Sequence, residues 1–421
     1  MTTTAEAPAV RVERRLLAGP ADGRLDSYLA ASGRLPDVDG PRLIETLREA
    51  GLTGHGGAGF PTWRKLSAVH AAGRRAVVIA NGAEGEPASS KDKVLLKSHP
   101  HLVLDGLQLV ARALAAKAAH VYVSAASVAG IRSALAERQR AGLDRVPVTV
   151  HTAPDAFVSG EESAVVAAVS GRPAVPGDKR VRIIESGVDG APTLVQNVET
   201  LAHIAQIVRY GPRWFRSAGT PAEPGTFLAT VGGVVAVPGV IEAGYGVPLG
   251  DLIDAAGGAT EPVQAVLVGG YHGGWVPPDP DLAVSRAAMT PYGASPGAGI
   301  VLALPAGACG LTETAKIVTY LAGQAAGQCG PCINGLPRLA DTLTDLALRR
   351  GRPGLPAEVE RLAALVTGRG ACRHPDGTAR LIRSGLQAFA ADVTAHLAGN
   401  CLATQGPTQG STQGSTRGGI R

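Results

Sequence analysis

The sequence predicts an α/β protein in which a parallel-sheet layer is followed by a small β-grasp module and then a helical bundle. Three observations predict it. Between about 40 and 220, short apolar runs alternate with amphipathic helical periods; around 225 the texture changes to short β-like pieces broken by Gly and Pro; from "TETAKIVTYLAG" onward helical periods dominate to about 398.

In chain order, "PRLIETLREAG" has helical spacing and is followed by a glycine-rich loop. Then come the strand "RAVVIAN", the helix "HLVLDGLQLVARALAA", the strand "HVYVSA", the helix "VAGIRSALAERQRAG" and the strand "VPVTVHT". Strands joined through helices imply right-handed crossovers and a parallel sheet covered on both faces. In the next part, "GTFLATVGGVVAVPGVIEAGYGVPLGDLIDAAGG" and "VQAVLVGGY" read as two strands, a turn, one short helix and a third strand. The end, "TQGPTQGSTQGSTRGG", is a polar repeat that cannot bury apolar surface and is expected to be disordered.

Composition narrows the function. The 40 Lys and Arg against 35 Asp and Glu give a net of +5 with no long run of like charge, which argues against a nucleic-acid partner. The first residues lack an apolar signal region, and no window approaches the ~18 apolar residues of a spanning helix, so any membrane role is expected to run through a partner. Cysteines at 309, 329, 332, 372 and 401 have no extracellular disulfide pattern, and a reducing cytosol is the expected compartment.

"GLTGHGGAGFPTWRKL" places Gly54, Gly56 and Gly59 at G-x-G-x-x-G spacing, but after a helix rather than a first strand, so the dinucleotide fingerprint lacks its usual context. Its physical content remains. Residues without side chains, Gly57 among them, let backbone N–H groups approach a phosphate, a helix beginning near Pro61 adds its positive end, and Lys65 adds a charge. A plain surface turn is the alternative, and five glycines in nine residues exceed what a turn demands.

"NGAEGEP" sets Asn81, Glu84 and Glu86 directly after a strand, at the carboxyl end where open α/β sheets bind ligands. "SGEESA" sets Gly160, Glu161 and Glu162 at an expected helix start, where capping alone would explain one or two acids. "QNVET" adds Asn197 and Thr200 as uncharged hydrogen-bonding groups. Cys329 and Cys332 in "CGPC" admit three readings: a redox pair, ligands of a metal cluster, or inert thiols. A preceding helix instead of a strand disfavours the thioredoxin reading. His55, His99 and His101 have no ligand spacing and are expected as surface or capping residues.

In order, "GHGGAGFPT", "NGAEGEP", "KDK", "SGEESA", "GRPAVP", "PTLVQNVET" and "CGPC" resemble the NADH-oxidising flavoprotein subunit of respiratory complex I and its soluble hydrogenase and formate dehydrogenase relatives, over about 43 to 390. The resemblance implies a Rossmann-like FMN domain, a ubiquitin-like β-grasp (SLBB) domain and a helical bundle with a [4Fe-4S] cluster. The expected divisions are an N-terminal extension (1–39), the FMN and NADH domain (40–222), the β-grasp domain (223–305), the iron–sulfur domain (306–398) and the tail (399–421).

It also implies site roles. FMN lies across the glycine-rich loop (Gly54, Gly56, Gly57, Gly59), with its phosphate near Lys65 and the Asn197–Thr200 stretch. Asn81, Glu84, Gly160, Glu161 and Glu162 surround the rest of the flavin. Phe60 and Glu86 correspond to positions near NADH, and Glu86 and Glu162 are the expected catalytic carboxylates. Cys329, Cys332 and Cys372 match three cluster ligands. Electrons then pass from NADH through FMN to an iron–sulfur carrier or a quinone-linked complex, the partner being a thioredoxin-like [2Fe-2S] protein or a ferredoxin.

The chain departs from the family pattern at Ala83, where the family has Asp, at Ala68 and Arg182, where family aromatics flank the dinucleotide, and at Ala326, the first position of the C-x-x-C-x-x-C motif. These departures motivate two rivals: a scaffold that has lost catalysis, and a flavoprotein with another electron donor. The missing thiolate implies a more labile cluster. Cys309, on the far side of a helix, and Cys401, beside the tail, are poor replacements.

Overall fold

The computed structural model describes residues 14–73, 75–178, 181–350 and 352–403. Helices α1 (Leu25–Ser32), α2 (Gly40–Ala50) and α3 (Thr62–Ala71) precede strand β1 (Val77–Gly82). There follow α4 (Lys91–Ser98), α5 (Pro100–Ala113), β2 (Ala118–Ser124), α6 (Ala125–Arg140), β3 (Val148–Ala153), α7 (Glu162–Val169), β4 (Thr193–Asn197), α8 (Val198–Tyr210) and α9 (Pro212–Arg216). The four strands form one parallel sheet in the order β3-β2-β1-β4. Helices cover both faces, which is why "VVIA" of β1 is an unbroken buried run rather than an alternating one. The chain leaves β1 toward β2 on one side and returns to β4 on the other. A crevice therefore opens outside the carboxyl ends of β1 and β4, where Asn81 stands opposite Asn197 in register.

The segment before α2 packs on this body. Leu16 is fully buried, and the Glu242 carboxylate accepts its N–H at 2.9 Å. Helices α5 and α8 approach closely because Gly106 has no Cβ; one built there would lie 1.9 Å from the Leu201 carbonyl oxygen.

The second sheet comprises β5 (Thr226–Gly233), β6 (Gly239–Gly244), β7 (Val263–Val268), β8 (Gly274–Val276) and β9 (Ile300–Pro305), with α10 (Leu249–Ala255) and α11 (Arg286–Met289) in its connections. The order is β6-β5-β9-β7-β8; β9 runs parallel to β5 and the other pairings are antiparallel. Sequence patterning anticipated three of these strands. It passed over β9, a central strand whose apolar run does not alternate, and β8, which has only three residues.

Helices α12 (Gly310–Gly323), α13 (Leu336–Ala347), α14 (Leu355–Val366), α15 (His374–Ala388) and α16 (Ala390–Leu397) complete the chain, with a single π turn at Pro331–Gly335. Their core is continuous with the second sheet through Trp275, whose indole N–H donates to Thr314 Oγ1 at 3.0 Å and whose ring packs edge-on against Phe389. Of the expected tail, residues 404–421 lie outside the described residues.

Candidate functional site: the glycine-rich crevice and the thiolate loop

The glycine-rich loop joins α2 to α3. Its neck is closed by a bridge between Thr53 and Pro61 and by the Gly54 N–H donating to the Phe60 carbonyl at 2.9 Å. Gly59 has φ +61°, a conformation that favours glycine, and a Cβ there would displace the Arg286 guanidinium, whose Nη2 would lie 1.7 Å away. Gly57, at φ +102°, faces open space, with nothing within 4 Å of where its Cβ would stand. The His55 N–H donates to Thr200 Oγ1 at 2.9 Å and seats the loop on the positive end of α8.

Beneath the loop lies a buried ionic network. Glu199 receives His55 Nδ1 at 3.0 Å and Lys91 Nζ at 2.7 Å, and Lys91 also meets Asp92 at 2.7 Å. Burial alone would raise the Glu199 carboxyl, but the Lys91 ammonium and His55 hold it well below the usual carboxylate range. Asn197 caps α8 by accepting the Glu199 N–H at 2.9 Å, and its amide donates to Asp92 at 2.7 Å. The sequence offered one signal for this network, the "KDK" segment after "NGAEGEP", and the acid–base partners across α8 were missed. His55, His99 and His101 are all buried rather than at the surface, and of the three His99 does stand at a cap position, between α4 and α5. Flanking glycines let the His55 ring sink beneath the loop onto Glu199, and the His99 ring turns inward to Ser98 and the Ala18 carbonyl.

At the strand ends, Asn81 Nδ2 donates to the Gly160 carbonyl at 2.9 Å and Asn81 Oδ1 accepts the Ala83 N–H at 3.2 Å. A Cβ on Gly160 would lie 2.9 Å from the Ala83 carbonyl oxygen, so the two turns lock together only because that position is glycine. Glu161 caps α7, accepting the Ser163 and Ala164 N–H groups at 2.8 and 3.3 Å, and Glu162 meets Lys65 Nζ at 3.5 Å. Glu84 accepts the Asp92 and Lys93 N–H groups at 3.0 and 3.2 Å, so its carboxylate is directed at the start of α4.

Glu86 is different. Its Oε2 accepts the Tyr271 N–H at 2.9 Å, while its Oε1 is buried with no hydrogen-bond partner. Burial pushes its carboxyl up to about 7. Gly270 makes the contact possible, since a Cβ there would stand 2.7 Å from the same carboxylate. Phe60, at the loop's end, is 46% exposed.

The thiolate loop follows α12. Cys332 is buried in the π turn, Cys329 lies beside it, and Cys372 is buried just before α15. Burial, with Cys329 and then Cys372 as neighbours, pushes the Cys332 thiol up to about 11. Ala326 stands in the segment between α12 and Cys329. Phe157 connects this region to the crevice. It lies three residues before Gly160, its N–H donates to Gln324 at 3.0 Å, and its ring sits 4.7 Å from His272 and 5.5 Å from His374. No sequence signal marked it.

The crevice residues therefore converge from loop 54–60, Lys65, turn 81–86, turn 160–162 and the start of α8, and the three cysteines form a separate group. Residues 47–206 match the Nuo51 FMN-binding domain, and residues 312–396 match the NADH-ubiquinone oxidoreductase-F iron-sulfur binding region. The F 2 subunit of the NADH-quinone oxidoreductase of Rhizobium meliloti is 30% identical over 387 residues, spanning 88% of this chain and 92% of that protein. The chain belongs to the F-subunit family of NADH-quinone oxidoreductases.

Other members agree. The corresponding F subunit of Streptomyces coelicolor is 29% identical over 85% of this chain and 83% of its own length. A chain of an NAD+-reducing [NiFe]-hydrogenase in its H2-reduced state superposes with a TM-score of 0.80 at 28% identity, covering 91% of this chain and 66% of that one. As a family member, the protein is an oxidoreductase flavoprotein that passes electrons from NADH through FMN to iron–sulfur centres. Its cofactors are FMN, NADH and an iron–sulfur cluster.

The residues present fit FMN: Gly57 faces open space, its loop is seated on the α8 N-terminus through Thr200, and Lys65 on the helix that follows the loop supplies an ammonium. For the cluster, the thiols of Cys329, Cys332 and Cys372 come from two neighbouring segments and fit an iron–sulfur group by donor type, while Ala326, at the first position of the expected motif, offers only a methyl group.

Proposed function

We propose that FMN lies across Gly54, Gly56, Gly57 and Gly59, with its phosphate between Lys65 and the start of α8, and that NADH enters past Phe60 and Glu86. The observation that carries this is the convergence of the loop, the Asn81–Gly160 lock and Thr200 on the crevice between β1 and β4. FMN held there would supply hydride acceptance and single-electron release.

The chain's own residues bind, orient and exclude water. Glycine N–H groups and Lys65 hold anionic oxygens, and the buried Lys91–Glu199–His55 network keeps the loop seated. Asn81 fixes the turn beside the ring system. Glu86, with its carboxyl near neutrality and one free oxygen, accepts a hydrogen bond from the dinucleotide or holds a proton at Oε1. Glu84 and Glu161 act on the site through the helix starts they hold.

In this reading Cys329, Cys332 and Cys372 would hold an iron–sulfur centre, which would supply one-electron transfer toward an iron–sulfur partner, a thioredoxin-like [2Fe-2S] protein or a ferredoxin; Phe157 packs between that region and the crevice. This reading divides the chain into an FMN domain over 40–222, an SLBB-type β-grasp domain over 223–305 and an iron–sulfur bundle over 306–398. Among the described residues no helix is long and apolar enough to cross a membrane. We place the protein in the cytoplasm, associated with its complex through its partners. Reconstitution with FMN tests the site: stoichiometric binding that Lys65→Ala weakens and Gly57→Val abolishes supports it, and a well-folded chain that takes up no flavin refutes it.

A further inference from the structure

A second group of metal-binding side chains lies at the other end of α12, away from the thiolate loop. Cys309 is the residue before α12, Asp392 and His396 lie one turn apart on α16, and Cys401 follows α16. One ligand atom from each of the four lies within 4.8 Å of all the others. Cys309 Sγ stands 3.4 Å from His396 Nε2. The other ring nitrogen, Nδ1, is 3.0 Å from the Leu346 carbonyl, which can only accept. That contact fixes the proton on Nδ1 and leaves the Nε2 lone pair aimed at the group, the arrangement in which an outer hydrogen bond orients a metal-binding imidazole.

We propose that Cys309, Asp392, His396 and Cys401 bind one Zn2+ ion that clips the last helix and the chain beyond it to the start of α12. Two thiolates, one imidazole and one carboxylate form a tetrahedral set of the kind zinc takes in closed structural sites. Zinc–ligand bonds of ~2.0–2.3 Å place tetrahedral ligand atoms about 3.3–3.8 Å apart, so the Cys309–His396 separation of 3.4 Å already fits and the others, all within 4.8 Å, need close by no more than about 1.5 Å. His396 is buried, whereas Cys309 and Cys401 are partly exposed and give the ion a route in. The site is distinct from the iron–sulfur centre, because the 14 residues of α12 span ~21 Å between Cys309 and the thiolate loop. Cysteine spacing alone concealed it: the ligands come from two segments more than eighty residues apart, and both non-thiol ligands sit on a helix read only for its apolar period.

Binding releases the two thiol protons to solvent as thiolates form, and no oxidant or reductant takes part. The test uses the full chain, purified under reducing, anaerobic conditions, with zinc and iron measured together. One zinc per chain is expected in addition to iron. Cys309→Ser/Cys401→Ser is expected to lose the zinc while keeping its FMN and iron, and Cys329→Ser to lose iron and keep zinc. Co2+ in place of zinc should give tetrahedral ligand-field bands with thiolate charge transfer. Asp392→Asn, which leaves the buried imidazole in place, should weaken zinc retention against a chelator without altering the circular dichroism. A reduced chain that binds neither Zn2+ nor Co2+, zinc that persists in the double serine variant, or a Cys309–Cys401 disulfide in the anaerobically isolated protein would each overturn the proposal.

Discussion

The flavin crevice and the thiolate loop serve one electron path but are built from different materials. The crevice is made largely of backbone: glycines that permit close approach, helix starts, and turns locked by Asn81 and Thr200. The thiolate loop depends on side chains, each cysteine supplying a bond nothing else replaces. Substitution therefore affects them unequally. At Ala83, where the resemblance leads one to expect Asp, the turn is held without a side-chain carboxylate, because Asn81 accepts the Ala83 N–H and Gly160 packs on the Ala83 carbonyl. If position 326 is a ligand position, as the resemblance implies, alanine there removes a bond that no backbone group replaces. A site made of main chain tolerates drift that a site made of ligands does not.

The largest effect is expected from a change in the backbone of the crevice. Gly57→Val forces a β-branched residue to φ +102° and fills the open space at the loop. Flavin affinity should fall by well over tenfold, read by equilibrium dialysis, with the circular dichroism unchanged. Next in size is the repair of the ligand site. Ala326→Cys should convert a labile, substoichiometric iron–sulfur centre into a stable [4Fe-4S] cluster, measured by iron and sulfide analysis after anaerobic reconstitution. Equal iron in the variant and the parent chain would count against the thiolate loop as the electron exit.

Glu86 gives a pH-dependent effect. Its carboxyl is raised from near 4.5 to about 7 by burial, so the folded state favours the protonated form. Relative to an unperturbed carboxyl, its contribution to stability is fully present below about pH 4.5 and lost as pH rises through 7. Each tenfold change in proton affinity is worth ~1.4 kcal/mol, so the loss is at most about 3 kcal/mol. Glu86→Gln should therefore stabilise the chain against denaturant at pH 8.5 and do little at pH 4.5. An equal effect at both values would remove the ionised, half-satisfied carboxylate from the account.

The smallest effect concerns the dinucleotide. Ala68→Phe with Arg182→Phe restores rings worth ~0.5–1.5 kcal/mol each and should tighten NADH binding about tenfold, with FMN affinity unaltered. No tightening would favour an electron donor other than NADH.

How far the sequence revealed these regions follows the same division. Three of the four strands of the first sheet were legible because long helical periods separate them, and the glycine-rich loop because its spacing lies within one short segment; β4, a five-residue strand running straight into α8, was read only for its hydrogen-bonding residues. The β9 strand was not legible, since a central strand with both faces covered loses the alternation that identifies it. Nor were Lys91, Glu199 and His55, charged groups whose meaning depends on partners across α8. The role of Phe157 depends on packing against α12 and α15, which no local pattern encodes. Cysteines close in sequence can be read as ligand candidates from their spacing, whereas Cys309 and Cys401 become neighbours only once α16 folds back.

The most direct test of the central claim is an anaerobic NADH titration of the chain reconstituted with FMN, iron and sulfide, followed together by flavin absorbance and electron paramagnetic resonance. The account predicts bleaching of the flavin, then a reduced iron–sulfur signal that Cys372→Ser removes without preventing the bleaching. No bleaching at millimolar NADH, or a flavin that is reduced while an assembled cluster stays oxidised, would contradict it.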